Sequence, residues 1–241
     1  MARTATKAAP KKEPAISYGS KTKVFEVMDL EIEGTAPLLV AHAMPWDIGG
    51  KFWEGYPREV QESKNIADVL SPIDRQLLKR LGFEINGRVG ADAEAHLRGH
   101  WLPDLRPAFP SSGFMRACLT AVVQYKGKGR SALTAKKVGG GMQILGDDTD
   151  RSLVEIKGEV QVSKPDIGRM SGIGGAPRII TRLRFEPGWR AVLRAQYITE
   201  ILSAQDIVQV VAWAGNWGVG QWRPSSPHPG PHGTWRLVDS Q

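Results

Sequence analysis

The chain has 241 residues, of which 41% are hydrophobic, and its net charge is +7. Its single cysteine, Cys118, excludes an internal disulfide and the cysteine-rich zinc frameworks. No apolar run approaches the roughly 18 residues that cross a bilayer, and the first residues lack the apolar stretch of a secretory signal. We therefore expect a protein without a membrane partner in a reducing cytoplasm.

The first hundred residues fall into three segments of different composition. Residues 1–20 are small, basic and proline-containing, which predicts a flexible tail because they cannot bury enough apolar surface to order themselves. The next segment, KTKVFEVMDLEIEG, has the composition of a strand, and APLLVAHA continues it as an apolar segment. Residues 44–107 predict an insertion that contains a helix capped by Ser71, within SPIDRQLLKRLGF.

The middle of the chain predicts one helix and several strands. PSSGFMRACLTAVVQY is amphipathic and begins with two capping candidates, Ser111 and Ser112, so it predicts the first core helix. GGGMQILG and SLVEIKGEVQV predict short strands, and KPDIGRMSGIGGAP predicts a long loop because of its glycines. RIITRLRFEPGWRAVLRAQYI predicts a hairpin that turns at Pro187 and Gly188, with the arginines of both strands on one face.

The last elements complete a recognisable order. SAQDIVQVVAWAG predicts a helix capped by Ser203 with Asp206 three residues later, and GTWRLVD predicts the closing strand. The whole pattern predicts an α+β protein with a ferredoxin-like or RRM-like βαββαβ core. Residues 21–241 then form one domain, interrupted by the insertion.

Positive charge is concentrated in three segments: residues 1–23, 124–137 and 164–194 each carry a net charge of +5. For a total of +7, the rest of the chain must carry −8. Basic segments on an otherwise acidic chain are typical of a surface that binds a polyanion.

Motifs for nucleotide or metal chemistry are missing from the sequence. The loop GNWGVG follows a helix and precedes a strand, whereas a phosphate loop needs the opposite order, so Gly215, Gly218 and Gly220 predict a close approach of backbone to a strand or ligand. The histidine pairs lack carboxylate or cysteine partners at metal spacing. We therefore expect no catalytic residue, metal or other cofactor.

Three sequence features together resemble a known superfamily. They are the helix opening PSSGFMRA, the arginine-rich RIITRLRFEPGW, and AGNWGVGQWRP followed by GTWRLV. They resemble the RAMP superfamily of RNA-recognition-motif-like proteins, in particular the backbone subunits that tile along the guide RNA of CRISPR effector complexes and their phage-encoded relatives. The resemblance covers roughly residues 23–42 and 108–240. It implies a protein encoded by a phage or another mobile element, and for a phage protein the expected cytoplasm is that of the host.

The resemblance implies a thumb-like or finger-like insertion, head-to-tail packing of neighbouring subunits, and a basic groove near the first helix that holds single-stranded nucleic acid by its backbone. It agrees with the distribution of charge. We predict a non-enzymatic protein that binds single-stranded RNA or DNA largely independently of sequence and forms a homo-oligomer or helical filament along it. The candidate binding residues are Arg116, Lys126, Lys128, Arg130, Lys136, Lys137, Arg169, Arg178, Arg182, Arg184, Arg190, Arg194, Trp222 and Arg223.

Two alternatives remain open at this point. The first is a metal-independent endoribonuclease of the same superfamily that uses His42 as an acid or base. The second is a virion or assembly protein whose basic tail meets nucleic acid incidentally.

Overall fold

The protein combines α-helices with antiparallel β-sheets, as predicted for an α+β chain. The computed structural model describes residues 24–48, 50–85, 87–125, 133–169, 177–227 and 229–238. Its strands are β1 Phe25–Gly34, β2 Leu38–Val40, β3 His100–Trp101, β4 Pro107–Pro110, β5 Met142–Leu145, β6 Leu153–Glu155, β7 Val160–Val162, β8 Asp166–Arg169, β9 Pro177–Ile180, β10 Leu183–Phe185, β11 Arg190–Ile198 and β12 Trp235–Leu237. Its α-helices are α1 Gly50–Trp53, α2 Arg58–Ser63, α3 Ile66–Val69, α4 Pro72–Arg80, α5 Ala91–Leu97, α6 Ser111–Gln124, α7 Ala135–Gly141 and α8 Ala204–Gly215, and a 3-10 helix spans Pro45–Ile48.

The largest sheet has the strand order β12-β1-β11-β5, and each neighbouring pair is antiparallel. β1 and β11 pair along nearly their whole lengths, from Phe25 opposite Ile198 to Glu33 opposite Arg190. Side chains alternate along β11, so that Leu193 is buried and Arg194 is exposed. Helices α6 and α8 pack against each other, and their apolar side chains share one hydrophobic core with the buried side chains of this sheet.

The predicted hairpin is wrong, although its turn at Pro187 and Gly188 does form. β10 pairs with β2 and β7, whereas β11 pairs with β1 and β5. The strands diverge because Gly34 takes the backbone groups beside the turn: it donates to the carbonyl of Trp189 at 2.7 Å and accepts from the amide of Gly188 at 2.8 Å. The arginines of the two strands consequently lie in different sheets.

Local signals were more reliable at the helix ends than in the glycine-rich segment. The capping boxes Ser71–Asp74 and Ser203–Asp206 are confirmed. Ser111 is already the first residue of α6, and no side chain caps that helix. The loop predicted before residue 177 includes β8, which pairs with β9 as a two-stranded ribbon, so the expectation of no regular structure there is wrong.

The segment 45–97, termed the helical lobe, contains the 3-10 helix and helices α1 to α5. Its apolar side chains, among them Leu77, Leu78 and Leu97, form a second hydrophobic cluster. Arg98 joins the two ends of the lobe, because it pairs with Asp47 at 2.5 Å. It also donates to the carbonyl of His42, in the chain that leaves β2, at 3.3 Å. The division of the chain into domains remains a prediction, and the predicted tail lies outside the described residues. None of the helices within the described ranges has the length and hydrophobicity that a membrane crossing requires.

Candidate nucleic-acid interface

The glycine-rich segment after α8 is a structural loop that is bonded to two other parts of the chain. Gly218 and Gly220 have φ values of 64° and 77°, a left-handed conformation that favours glycine. A Cβ atom on Gly215 would lie 2.2 Å from the carbonyl oxygen of Trp235, so the helix can meet β12 only through a glycine. The amide of Gln221 donates to the carbonyl of Leu39 at 2.9 Å. The three predicted glycines therefore hold residues 218–223, termed the glycine loop, in a fixed position.

A groove of about 240 Å³ lies between this loop and the beginning of α6. We call it the arginine groove, since Arg116 of α6 and Arg223 of the loop both line it, together with Gly113, His100 and Phe109. Arg223 donates to the carbonyl of Gly220 at 2.8 Å and to the Ser225 hydroxyl at 2.9 Å, both neutral acceptors. Within the described part of the chain, neither arginine forms a salt bridge. The two guanidinium groups thus share a groove whose lining contains no carboxylate.

The electrostatics of the arginine groove favour an anion. Burial, and then the nearby charge of Arg116, lower the pKa of Arg223. The N-terminus of α6, a helix of 14 residues, lies at the same groove and has no side-chain cap. The first-turn amides of a helix carry a partial positive charge, which adds to that of the arginines. A bound phosphate group would relieve the repulsion and would accept from first-turn amides other than that of Ser111, which donates to the carbonyl of Ser152 at 2.8 Å.

A second groove, of about 500 Å³, lies on the other side of the glycine loop. We call it the tryptophan groove, since Trp222 lines it together with Arg182, Arg184, Lys164, His232 and Glu186. Arg184 pairs with the Glu186 carboxylate at 2.8 Å, so this arginine is neutralised. The guanidinium carbon of Arg182 lies 4.6 Å from the centre of the Trp222 ring, a cation–π contact, although Arg182 is only 3% exposed. Burial, and then the charges of Arg184 and Arg182, lower the pKa of His232, so the imidazole is neutral at physiological pH.

Two of the predicted arginines are neutralised on the open face of the largest sheet. Arg194 pairs with Asp29 at 3.0 Å, and Arg190 pairs with Glu31 at 3.3 Å and with Glu33 at 3.4 Å. These pairs are exposed, and each contributes little to stability. They nevertheless remove the positive charge that a polyanion would need, so the open face of the sheet is a poor candidate for binding it.

The remaining predicted cations belong to α7, to the β8–β9 ribbon or to residues outside the described ranges. Lys136 and Lys137 are on α7, which packs against α6, and line neither groove. Arg169 and Arg178 lie on the β8–β9 ribbon, where the backbone of Arg169 pairs with Pro177. Lys126, Lys128 and Arg130 lie outside the described residues. The structure therefore brings together two small sets from the list: Arg116 with Arg223, and Arg182 with Arg184 and Trp222.

Sequence reasoning missed the histidine at the edge of the arginine groove. His100 stacks on His42, with ring centres 4.6 Å apart and planes 23° apart. His42 donates from Nδ1 to the carbonyl of Arg98 at 2.7 Å, so its Nε2 carries a lone pair. Burial, and then the charge of His42, lower the pKa of His100 to about 4. The two residues are 58 positions apart, and no local pattern in the sequence could have joined them.

Comparisons with known proteins give a distant structural likeness only. No family model and no curated protein matches the chain. The chain is similar to one in the cryo-electron microscopy structure of a Type III-B Cmr-beta bound to cognate target RNA, with a TM-score of 0.46 and 11% sequence identity. The match covers 90% of this chain and 60% of that chain, so the protein spans well under two thirds of the length of its neighbour. At this distance, a function has to be inferred from the grooves themselves.

Proposed function

We propose that the protein binds single-stranded RNA or DNA by its phosphates, through the arginine groove, and does not cleave it. The observation that carries the proposal is the position of Arg116 and Arg223 in one groove without a carboxylate, at the end of α6 that has no side-chain cap. A groove of about 240 Å³ with two cations suits a phosphate group of a flexible strand. Contacts of this kind do not depend on base sequence.

We also propose that the largest sheet and its two helices are the ferredoxin-like core of a RAMP-type protein. Support comes from the order of elements, β1, α6, β5, β11, α8 and β12, combined with the sheet order β12-β1-β11-β5. This is a βαββαβ arrangement in which each helix connects two strands separated by one other strand. The sequence resemblance of the glycine loop and the opening of α6 points the same way. On that resemblance alone, we propose that copies pack head to tail along the strand.

Fluorescence anisotropy with labelled strands of about 12 nucleotides, in RNA and DNA form, tests the binding proposal. We expect tighter binding to single strands than to a duplex, and a steep loss of affinity between about 50 and 200 mM salt. The double variant Arg116→Ala with Arg223→Ala should lower the slope of log affinity against log salt by about 1.4, since each contact to a single strand contributes about 0.7.

Arg194→Ala is the matched control, because this arginine is already paired with Asp29. It should leave the salt slope unchanged. Equal slopes for the double variant and the wild type would refute the arginine groove as the phosphate site. Negative-stain images with and without a long single strand test the head-to-tail arrangement, which requires filaments that form only with the strand.

The stacked histidines favour one second candidate, metal-independent RNA cleavage beside the arginine groove. Burial lowers the pKa of His42, so its imidazole is neutral near pH 7 and can accept the proton of a ribose 2′-hydroxyl. Under this candidate, RNA is cut in the presence of a chelator, a 2′-deoxy strand is not, and His42→Ala abolishes cutting. Intact RNA after prolonged incubation would exclude it.

A further inference from the structure

We infer that the tryptophan groove holds a nucleobase of the strand whose phosphates occupy the arginine groove. The inference rests on the proposed function and adds to it a second site with a different chemical task. A base needs a flat aromatic surface and polar groups at its edge, whereas a phosphate needs only cations. The tryptophan groove supplies an aromatic surface with polar groups, and the arginine groove supplies cations.

The backbone of Trp222 is held in an intrinsically unfavourable conformation. Its φ of 53° lies in the left-handed region, which non-glycine residues seldom adopt and which costs of the order of 1 kcal/mol or more. The backbone on both sides keeps it there: the amide of His232 donates to the carbonyl of Trp222 at 3.3 Å. A Cβ on Gly230 would lie 2.6 Å from that carbonyl oxygen, so only glycine fits beside it. Backbone strain of this kind is concentrated at binding sites.

The Trp222 ring is prepared for stacking. Arg182 contacts one side of the indole, and a neutral acceptor, Gln221, fixes the guanidinium by accepting from its Nε. The ring of His232 meets the indole edge-on, with centres 6.0 Å apart and planes at 72°. These contacts restrain the ring on the wall of the groove before any ligand arrives, which lowers the entropic cost of binding.

Polar groups line the rest of the groove at positions suited to the edge of a base. Ser163, Lys164 and Glu186 belong to this lining, and Glu186 accepts from Arg184 at 2.8 Å. Gln161 also lines the groove, and its amide nitrogen donates to Glu159 at 2.7 Å. A volume of about 500 Å³ lies within the range of small-molecule sites.

The glycine loop connects the two sites. Trp222 and Arg223 are consecutive, so their Cα atoms lie about 3.8 Å apart, yet the first lines the tryptophan groove and the second the arginine groove. Leu39 lines both grooves and separates them. One or two adjacent nucleotides can therefore place a phosphate on one side of the loop and a base on the other. Lys164, which is exposed in the tryptophan groove, lies where the next phosphate would continue.

The test compares strands of about 12 nucleotides that carry bases with an abasic strand of the same length and charge. We expect the wild type to bind a uridine strand about 5- to 150-fold more tightly than the abasic strand, as one stacked base contributes. Trp222→Ala should remove this difference and leave the abasic affinity unchanged. His232→Ala should reduce it as well, because the ring that contacts Trp222 edge-on is then removed.

Arg116→Ala serves as the contrasting variant, because it should weaken both strands equally. A 5-iodouracil strand should crosslink to Trp222 on irradiation, which requires no variant to fold. Equal wild-type affinity for the two strands, or an equal loss of both in Trp222→Ala, overturns the base site while the phosphate groove stands. If neither strand binds at all, the proposed function fails as well.

Discussion

Replacement of Arg98 by methionine tests whether one buried guanidinium anchors the helical lobe. Arg98 donates to both carboxylate oxygens of Asp47, at 2.5 and 2.8 Å, and to Glu94 at 2.7 and 3.1 Å. The side chains of Arg98 and Asp47 are 13% and 4% exposed. Removal of the guanidinium breaks this pair and withdraws the charge of Arg98 from the buried Asp47 carboxylate, which costs about 3 to 5 kcal/mol of unfolding free energy.

Urea unfolding followed by tryptophan fluorescence measures this loss, because Trp46 and Trp53 lie in the lobe. The control is Arg58→Met, whose pair with Glu62 is 88% and 65% exposed and should contribute less than about 1 kcal/mol. Combining Arg98→Met with Asp47→Leu should restore part of the loss, since the buried charge is then gone. If Arg98→Met costs no more than Arg58→Met, the lobe is not anchored in this way.

Three further predictions concern buried groups elsewhere in the chain. Gly34→Ala should destabilise the protein by about 2 kcal/mol or more, because the added Cβ would lie 2.0 Å from the ring of Trp189, whereas Gly140→Ala meets nothing within 4 Å and should be neutral or slightly stabilising in thermal melts. Burial raises the pKa of Cys118 to about 12, so a thiol reagent at pH 8 should label it only at the rate of unfolding. Burial and the charge of His42 lower the pKa of His100 from 6.5 to about 4, so its neutral form is favoured in the folded state. Stability should therefore fall by about 1.4 kcal/mol per pH unit as the pH drops from 6.5 towards 4, and His100→Phe should flatten that slope in urea titrations.

The parts of the fold that could be predicted from the sequence are those determined by neighbouring residues. Helix α8 follows from apolar spacing and from Ser203 with Asp206, all within one segment. The hairpin prediction failed although its local signals were correct, because local signals do not determine which strands pair. Pro187 and Gly188 do form a turn, but the partner of each strand is decided by Gly34, which is more than 150 residues away in the chain. Pairing between distant segments leaves no periodic pattern in either of them.

The difference between local and distant contacts also explains why some of the predicted binding residues line a groove and others do not. Arg194 and Arg223 were both predicted to bind nucleic acid, the first from the basic segment 164–194 and the second from the resemblance of AGNWGVGQWRP. In the structure, Asp29 neutralises Arg194 across a sequence separation of 165 residues, while Arg223 has only neutral acceptors. Local charge counting could not detect that pairing. The arginines that matter for binding an anion are those without a carboxylate across from them.

The glycine loop links the two proposed sites, because both the phosphate contact and the base contact depend on its position. A Cβ on Gly220 would lie 2.5 Å from the carbonyl oxygen of Leu39, and the φ of 77° would strain any other residue. A side chain at this position must therefore displace the loop from β2, and with it both Trp222 and Arg223. Since these residues serve different grooves, a shift of the loop would weaken the phosphate contact and the base contact together. A change of the Trp222 or the Arg223 side chain alone would weaken only one of the two contacts. Such single substitutions therefore distinguish the two sites, whereas substitutions of the loop glycines do not.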